Sequence, residues 1–212
     1  MKFINVLSYN CAEYLTKQLN HSHEKKRVYY YGFQIVIGEI VKFSLLILIT
    51  LLLGVFLPTF TVLIFFGALR VVAGGYHMDN YTKCMVTSFG IFILLGFLVK
   101  FTYQYYSLGL LAVLSAVTFV TALIAVIKWA PADTPFKPIT KPKQIKRLKI
   151  LSILMVFIWM AIDCILIIYS INFYVLAGCL GMLMAAFIVS PAGYRFFDFI
   201  SGKGRKPKKG AG

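Results

Sequence analysis

The chain alternates between long apolar runs and short polar or basic stretches. A helix needs ~20 consecutive apolar residues to cross the hydrocarbon core of a bilayer. The apolar runs cover residues 34–57, 60–69, 84–99, 108–127, 150–169 and 173–190. The pattern therefore predicts an all-α, polytopic integral membrane protein with about six transmembrane helices.

The second apolar run is shorter than the others. It follows Pro58 and contains ~10 residues, or ~14 if it extends to Ala73, which gives ~21 Å at 1.5 Å per residue. This is less than the ~30 Å hydrocarbon core. The segment is therefore predicted to be short or re-entrant: either it is tilted where the membrane is thinned, or its end lies below the surface. The second arrangement would place residues 74–83 in a recess of the membrane face.

The pattern divides the chain into three regions. Residues 1–27 form an amphipathic interfacial segment, in which His21 and His23 are solvated linker residues. Residues 28–192 form the transmembrane domain. Residues 193–212 form a basic, disordered tail.

The basic residues show which side of the membrane each loop occupies. All of the 22 Lys and Arg residues except Lys42 and Lys100 lie in the N-terminal segment, the 70–83 turn, the 128–149 loop or the tail. In a six-span topology these four segments share one side, which the positive-inside rule makes cytosolic. The net charge of +15 thus follows from membrane topology, and nucleic acid is not expected as a partner. The four cysteines are scattered, and no disulfide framework or metal site is predicted.

Three charged residues lie inside the predicted spans. Glu39 and Lys42 are three residues apart on one helical face, and an inward-facing ion pair is expected. Asp163 is expected to be a hydrogen-bonded packing residue. Because charges inside spans also mark transport paths, a small transporter or channel that uses these residues is the alternative function.

The candidate chemistry lies between Arg70 and Ser88. On an unbroken helix His77 and Cys84 would be ~10 Å apart, too far for proton transfer. The Gly74-Gly75 pair provides a bend, so one helix is predicted to end near Gly74 and another to begin near Thr82. Cys84 then lies in the first turn of a helix, where the dipole stabilises a thiolate.

A catalytic interpretation assigns a role to each of these side chains. His77 would act as the general base, and Arg70 or Lys83 would hold a substrate carboxylate or an oxyanion. Two other interpretations remain open for the same residues. In the first, the cysteine is a packed side chain and the histidine lies at the membrane interface. In the second, the turn only docks a partner.

The motif Arg70…Gly74-Gly75-Tyr76-His77…Cys84…Ser88 resembles that of the accessory gene regulator protein B family. Residues 130–132, 137–139 and 146–147 are similar to the family's cytosolic loop. The chain length, the amphipathic N-terminus and the six apolar segments also agree. The resemblance therefore covers nearly the whole chain.

The resemblance implies a membrane-embedded cysteine endopeptidase of Gram-positive bacteria. Such enzymes cut the C-terminal part from a quorum-sensing propeptide, and a side chain of the peptide attacks the acyl-enzyme to give a cyclic thiolactone or lactone. Carried over, Cys84 is the nucleophile and His77 the general base, without a cofactor or metal. The residues expected to bind substrate or support the site are Arg70, Gly74, Gly75, Lys83, Ser88, Lys137, Lys146 and Arg147.

The resemblance also implies the partners and the location of the protein. The substrate would have an amphipathic helix and an acidic tail, which suits a basic cytosolic face. The protein would be a multi-pass protein of the bacterial cell membrane, with both termini and the active site in the cytosol. The family further suggests a homodimer, for which the sequence itself shows no interface.

Overall fold

The computed structural model describes residues 2–19, 21–76, 78, 80–132 and 141–202. These residues form α-helices connected by short turns, and no strand occurs in the described ranges. The helices are α1 Lys2–Gln18, α2 His23–Leu52, α3 Phe56–Ala73, α4 Tyr81–Thr102, α5 Leu108–Trp129, α6 Pro142–Ile168, α7 Asn172–Val189 and α8 Pro191–Ser201. The predicted all-α class is confirmed.

Helices α2 to α7 are long and apolar enough to cross a membrane, so this is a multi-pass membrane protein with six candidate spans. Two of them begin earlier than the apolar runs, α2 at His23 and α6 at Pro142. The reason is that hydropathy marks only the part of a helix that lies in hydrocarbon. The backbone hydrogen bonds of the helix continue through its polar turns outside.

The second span is longer than the pattern predicts. Helix α3 has 18 residues and includes Pro58 in its first turn. Proline is tolerated there because the first N–H groups of a helix lack intrahelical partners in any case. The regular helical hydrogen bonds begin at Thr59, whose N donates to Val55 O at 3.1 Å. At 1.5 Å per residue α3 is ~27 Å long, close to the hydrocarbon thickness.

The chain divides into two compact units, Met1–Gly54 and Val55–Gly212. In the first unit, α1 packs against α2. Polar pairs connect the two helices: Gln34 Nε2 donates to Asn5 Oδ1 at 2.8 Å, and Lys26 Nζ donates to Tyr9 OH at 3.0 Å. Helix α2 runs unbroken past residue 27, where the pattern placed the end of the interfacial segment.

Two predictions about polar residues of the first unit are corrected. The expected solvated linker is partly helical, since His23 begins α2, and His21 Nδ1 contacts Tyr29 OH. Lys42 Nζ does pair with Glu39 Oε1, at 2.6 Å. The pair does not face fully inward, because 46% of the Glu39 side chain is exposed. Both residues lie near the middle of α2, where long side chains reach along the helix surface.

In the second unit, α7 is the central helix. It contacts α3, α4, α5, α6 and α8, and most of its apolar length is buried. Small residues allow this close packing: a Cβ placed on Gly181 would lie 2.5 Å from the carbonyl oxygen of Val62 on α3. Van der Waals contact between closely approaching helices is the main packing force inside a membrane.

The C-terminal region is helical where the pattern predicts disorder. Residues 193–201 lie in α8, so the disordered tail expected from residue 193 onwards is wrong for this part. Ser190 Oγ accepts from Gly193 N at 3.2 Å as the N-cap, Pro191 follows, and Gly202 ends the helix at a φ of 79°. The low-complexity composition that suggested disorder begins only after these residues. Residues 203–212 lie outside the described ranges.

Candidate active site

The turn between α3 and α4 is built on two glycines with positive φ, 71° at Gly74 and 127° at Gly75. Residues with a Cβ rarely adopt these angles. Gly74 ends α3, as predicted. A Cβ on Gly74 would also lie 2.3 Å from the carbonyl oxygen of Ala132. Both the conformation and the space therefore require glycine.

Arg70 binds the backbone of this turn. Its Nη1 donates to Gly74 O at 2.7 Å and its Nη2 to Tyr76 O at 2.6 Å. A Cβ on Gly75 would lie 2.1 Å from Nη1, so Gly75 leaves the path open for the guanidinium. The same guanidinium interacts electrostatically with Cys84 and Tyr194. Arg70 thus shapes the turn and places a positive charge near the Cys84 thiol.

The turn is also joined to the ends of α5 and α7. Gly75 N donates to Ala132 O at 3.2 Å, and Ala132 N donates to Ala73 O at 2.8 Å. Tyr76 N donates to Ile188 O at 3.2 Å. The ends of α3, α5 and α7 therefore meet on one side of the second unit. This is the side on which the sequence pattern placed the basic loops. Ala132 and Ile188 are site residues that sequence reasoning missed, since no local signal marks which distant carbonyl will meet an N–H group.

Helix α4 begins at Tyr81 with Asn80 as its N-cap, close to the predicted start near Thr82. Asn80 Oδ1 accepts from Thr82 N at 2.9 Å and from Lys83 N at 3.2 Å. Cys84 N donates to Asn80 O at 2.9 Å. Cys84 therefore lies in the first helical turn, as predicted, with a free, half-buried thiol. Asn80 thus satisfies two of the N–H groups at the start of α4.

The predicted general base, His77, lies outside the described residues, as does Asp79. The residues on either side of His77 are described. Tyr76 is buried and Met78 is partly buried against the core. The described backbone thus places both neighbours of His77 in the same turn that leads to Cys84.

The remaining predicted support residues occupy different places. Ser88 follows Cys84 by one helical turn and shares its face. Lys83 Nζ donates to Ser201 O at 3.1 Å, so this lysine contacts the end of α8. Sequence reasoning missed that contact because it assigned Lys83 to the substrate.

Lys146 and Arg147 are exposed in the first turns of α6 and line a groove of ≈ 330 Å³ with Lys143, Ile150 and Leu151. The main contacts of α6 are with α3, α5 and α7, whereas Cys84 lies on α4. These basic residues therefore lie on a different helix from Cys84. Lys137 lies outside the described residues.

An open cavity of ≈ 440 Å³ lies beside the turn. Its lining residues are Trp129, Ala132, Val189, Pro191, Tyr194 and Arg195. Ala132 pairs with the Gly74 backbone, and the Tyr194 ring contacts that of Tyr76 edge-on, with centroids 5.3 Å apart. The cavity therefore adjoins the turn, and Arg195 is an exposed cation at this position that sequence reasoning missed.

Asp163 lies in a second polar region, within α6. It is fully buried, and neither carboxyl oxygen has a hydrogen-bond partner among the described residues. The hydrogen bond expected from the sequence is therefore not formed among the described residues. Ser115 faces this carboxyl, but its Oγ pairs with Cys179 Sγ at 3.4 Å. Trp159 Nε1 and Thr118 Oγ1 are also buried without a partner in the described part of the chain.

Comparison with known proteins identifies relatives along nearly the whole chain. Residues 8–189 match the family model described as Accessory gene regulator B. The accessory gene regulator protein B of Staphylococcus intermedius is 34% identical over 152 residues, which cover 71% of this chain and 77% of that protein. The protein of that name from Staphylococcus aureus strain bovine RF122 is 30% identical over 181 residues, 85% of this chain and 90% of the relative. An AgrB-like protein of Clostridium perfringens strain SM101 is 30% identical over 172 residues, 80% of each chain. No solved structure gives a significant match.

Proposed function

The chain belongs to the accessory gene regulator B family, and from this premise we propose that it is a membrane-embedded cysteine endopeptidase. Its substrate would be a quorum-sensing propeptide, from which it removes the C-terminal part. The observation that carries the proposal is the turn before Cys84, in which Arg70 and two positive-φ glycines hold the backbone beside a half-buried thiol.

Cys84 lies beside two features that suit a cysteine nucleophile. The thiol lies at the N-terminal end of α4, where the helix dipole stabilises negative charge, and the Arg70 guanidinium adds a nearby positive charge. A thiolate is the nucleophilic form of cysteine. Of the four cysteines, Cys179 is buried and Cys164 is exposed on α6, and only Cys84 lies at a helix start near an arginine.

The reaction would proceed through an acyl-enzyme. Cys84 Sγ attacks the carbonyl carbon of the scissile peptide bond, and the carbon–nitrogen bond breaks as the oxyanion collapses. The leaving amine takes its proton from His77, which held the proton released by the thiol. A side-chain thiol or hydroxyl of the peptide then attacks the thioester, which transfers the acyl group into a ring and returns the cysteine. An internal nucleophile competes well with water because its effective concentration is high.

Charge and shape at this end of the second unit fit such a substrate. The cavity lined by Arg195 and Ala132 gives an extended peptide a place beside the turn. Lys143, Lys146 and Arg147 form an exposed basic surface that would attract the acidic tail. This end of the protein would face the cytosol of the bacterial cell, since the basic loops collect there.

The test compares variants in which one cysteine is replaced, each reconstituted into proteoliposomes. The probe is a synthetic propeptide with an amphipathic N-terminal helix, an internal cysteine and an acidic tail. Cys84→Ala removes the nucleophile and should abolish release of the tail, whereas Cys164→Ser should process at the wild-type rate. Mass spectrometry should find a hydroxylamine-sensitive thioester on the wild-type protein and not on Cys84→Ala. Release of the tail by Cys84→Ala at the wild-type rate would overturn the proposal.

One observation favours a second candidate function, a small membrane transporter or channel. Asp163 is a buried carboxyl without a hydrogen-bond partner in the described residues, and such groups within spans often lie on ion paths. Proteoliposomes containing a pH-sensitive dye measure this directly. Proton flux that is present in the wild type and lost in Asp163→Asn would support transport, and flux equal to that of empty liposomes would exclude proton transport.

A further inference from the structure

We propose that α8 is a clamp that positions Tyr76 and Lys83, the residues that directly precede His77 and Cys84, and that Asp198 is its principal positioning residue. The inference rests on the proposed function, because these two residues precede the proposed base and the proposed nucleophile. Helix α8 begins at Pro191, beyond the family match, which ends at residue 189.

The first contact of the clamp holds Tyr76, the residue before His77. Tyr76 OH donates to Asp198 Oδ1 at 2.8 Å. Its ring stacks on Phe197, with centroids 5.5 Å apart and an interplanar angle of 18°, and contacts Tyr194 edge-on. Tyr76 is only 7% exposed. Both the polar and the apolar part of this side chain therefore bind α8.

The second contact holds Lys83, the residue before Cys84. Lys83 Nζ donates to Ser201 O at 3.1 Å, at the C-terminal end of α8. A cation is favourable there because the helix dipole is negative at that end. Ser201 Oγ in turn donates to Asp198 O at 3.0 Å. The same turn of α8 thus contacts the chain immediately before His77 and immediately before Cys84.

Helix α8 is itself fixed to the rest of the second unit. Ser190 caps it, and its backbone approaches α7 so closely that a Cβ on Gly193 would lie 2.0 Å from Phe187 O. The Phe187 ring packs against those of Phe196 and Phe197. A clamp must be anchored to position a loop, and these contacts provide the anchor.

The placement of Asp198 is unfavourable for α8 taken alone. It lies in the last turn, where the helix dipole repels a carboxylate. Its hydrogen bond from Tyr76 offsets this repulsion. The Asp198 carboxylate is therefore favourable for the contact with Tyr76 and unfavourable for the stability of α8 itself.

The clamp would act on the chemical step. Proton transfer requires the base within ~3 Å of the thiol, and displacements of ~1 Å reduce rates strongly. Loss of a single clamp contact should therefore lower kcat with little change in KM, because such a variant leaves the cavity and the basic surface of α6 in place.

The experiment compares small variants with matched controls in the propeptide assay. Tyr76→Phe removes one hydroxyl and keeps the stacked ring, and Asp198→Leu removes the acceptor. Each should lower kcat by about tenfold, the scale expected for one hydrogen bond to a charged group. Asp198→Asn retains an acceptor oxygen and should recover most of the rate. Phe199→Leu, on the exposed face of α8, should match the wild type, whereas Phe197→Leu should not.

A second readout is independent of the propeptide. The rate of alkylation of Cys84 by iodoacetamide, followed by mass spectrometry in a Cys11→Ser, Cys164→Ser background, should change in Tyr76→Phe and Asp198→Leu. Wild-type kcat and alkylation rates in both variants would overturn the clamp and leave the endopeptidase proposal intact. An active Cys84→Ala protein would instead overturn the endopeptidase proposal.

Chain truncation separates α8 from the basic tail that follows it. A stop after Gly202 removes only residues 203–212 and should leave kcat unchanged. A stop after Ser190 removes α8 as well, together with Pro191, Tyr194 and Arg195 of the cavity, so it should lower kcat at least as much as Asp198→Leu and also raise KM. Wild-type kcat after the second truncation would overturn the clamp without reference to any single side chain.

Discussion

The turn before Cys84 and the region around Asp163 are both polar, and both lie in the same apolar helix bundle. In the turn, Arg70 donates to two backbone carbonyls, and the N–H groups of Gly75 and Tyr76 pair with carbonyls at the ends of α5 and α7. Around Asp163, by contrast, the carboxyl and the nearby Trp159 Nε1 have no partner among the described residues.

The difference matters because unpaired polar groups are costly in an apolar interior. A polar region whose groups are hydrogen-bonded holds one geometry, as catalysis requires. A region that leaves them unsatisfied is suited to a bound water, a proton or an ion. Polar residues inside apolar spans are therefore better judged by their hydrogen bonds than by their presence in the sequence.

The largest expected effect comes from breaking the turn. Gly74→Ala forces a side chain into a positive φ, at ~1–3 kcal/mol, and into the carbonyl of Ala132. Propeptide processing should fall by more than about a hundredfold. The matched control is Gly90→Ala in α4, where no atom lies within 4 Å of the added Cβ. That control should retain activity, and an active Gly74→Ala protein would show that the turn tolerates another geometry.

A smaller effect is expected for Arg70→Lys. An ammonium keeps the charge but lacks the planar fork that reaches both Gly74 O and Tyr76 O. Losing one of these bonds should lower kcat by about tenfold. Arg27→Lys, an exposed position in the first unit, serves as the control. Equal kcat for Arg70→Lys and the wild type would mean that charge alone is needed.

The smallest effect is expected in the region around Asp163. Asp163→Asn exchanges a buried carboxyl without described partners for a neutral group of the same size, so it should not destabilise the protein. Propeptide processing should remain within about twofold of the wild type. The measurements are the midpoint of thermal unfolding in detergent and the processing rate. A midpoint lowered by many degrees would show that Asp163 makes a stabilising contact after all.

Local chemistry made much of the candidate site predictable. Gly74-Gly75 predicted the end of α3, and Asn80 belongs to the residue types that begin helices. From these two signals the position of Cys84 in the first turn of α4 followed. By contrast, the role assigned to Lys83 depended on a long side chain whose direction no local pattern determines.

The sequence by itself determined the number of spans, their approximate positions and the all-α class. These depend on the composition of each segment, because a run of apolar residues favours the bilayer whatever its neighbours are. Composition was less informative at the ends, where α2 and α6 continue as helices through polar turns and Pro58 fits within the first turn of α3.

Only the tertiary structure decided which segments meet. The pairing of Gly74 with Ala132, the contact of Tyr76 with Asp198 and the unsatisfied Asp163 carboxyl each depend on residues far apart in the chain. Directional hydrogen bonds require an angle and a distance that only packed helices define. For this reason the chemistry near Cys84 could be anticipated from its neighbours in sequence, whereas the contacts of α8 with Tyr76 and Lys83 became visible only in the fold.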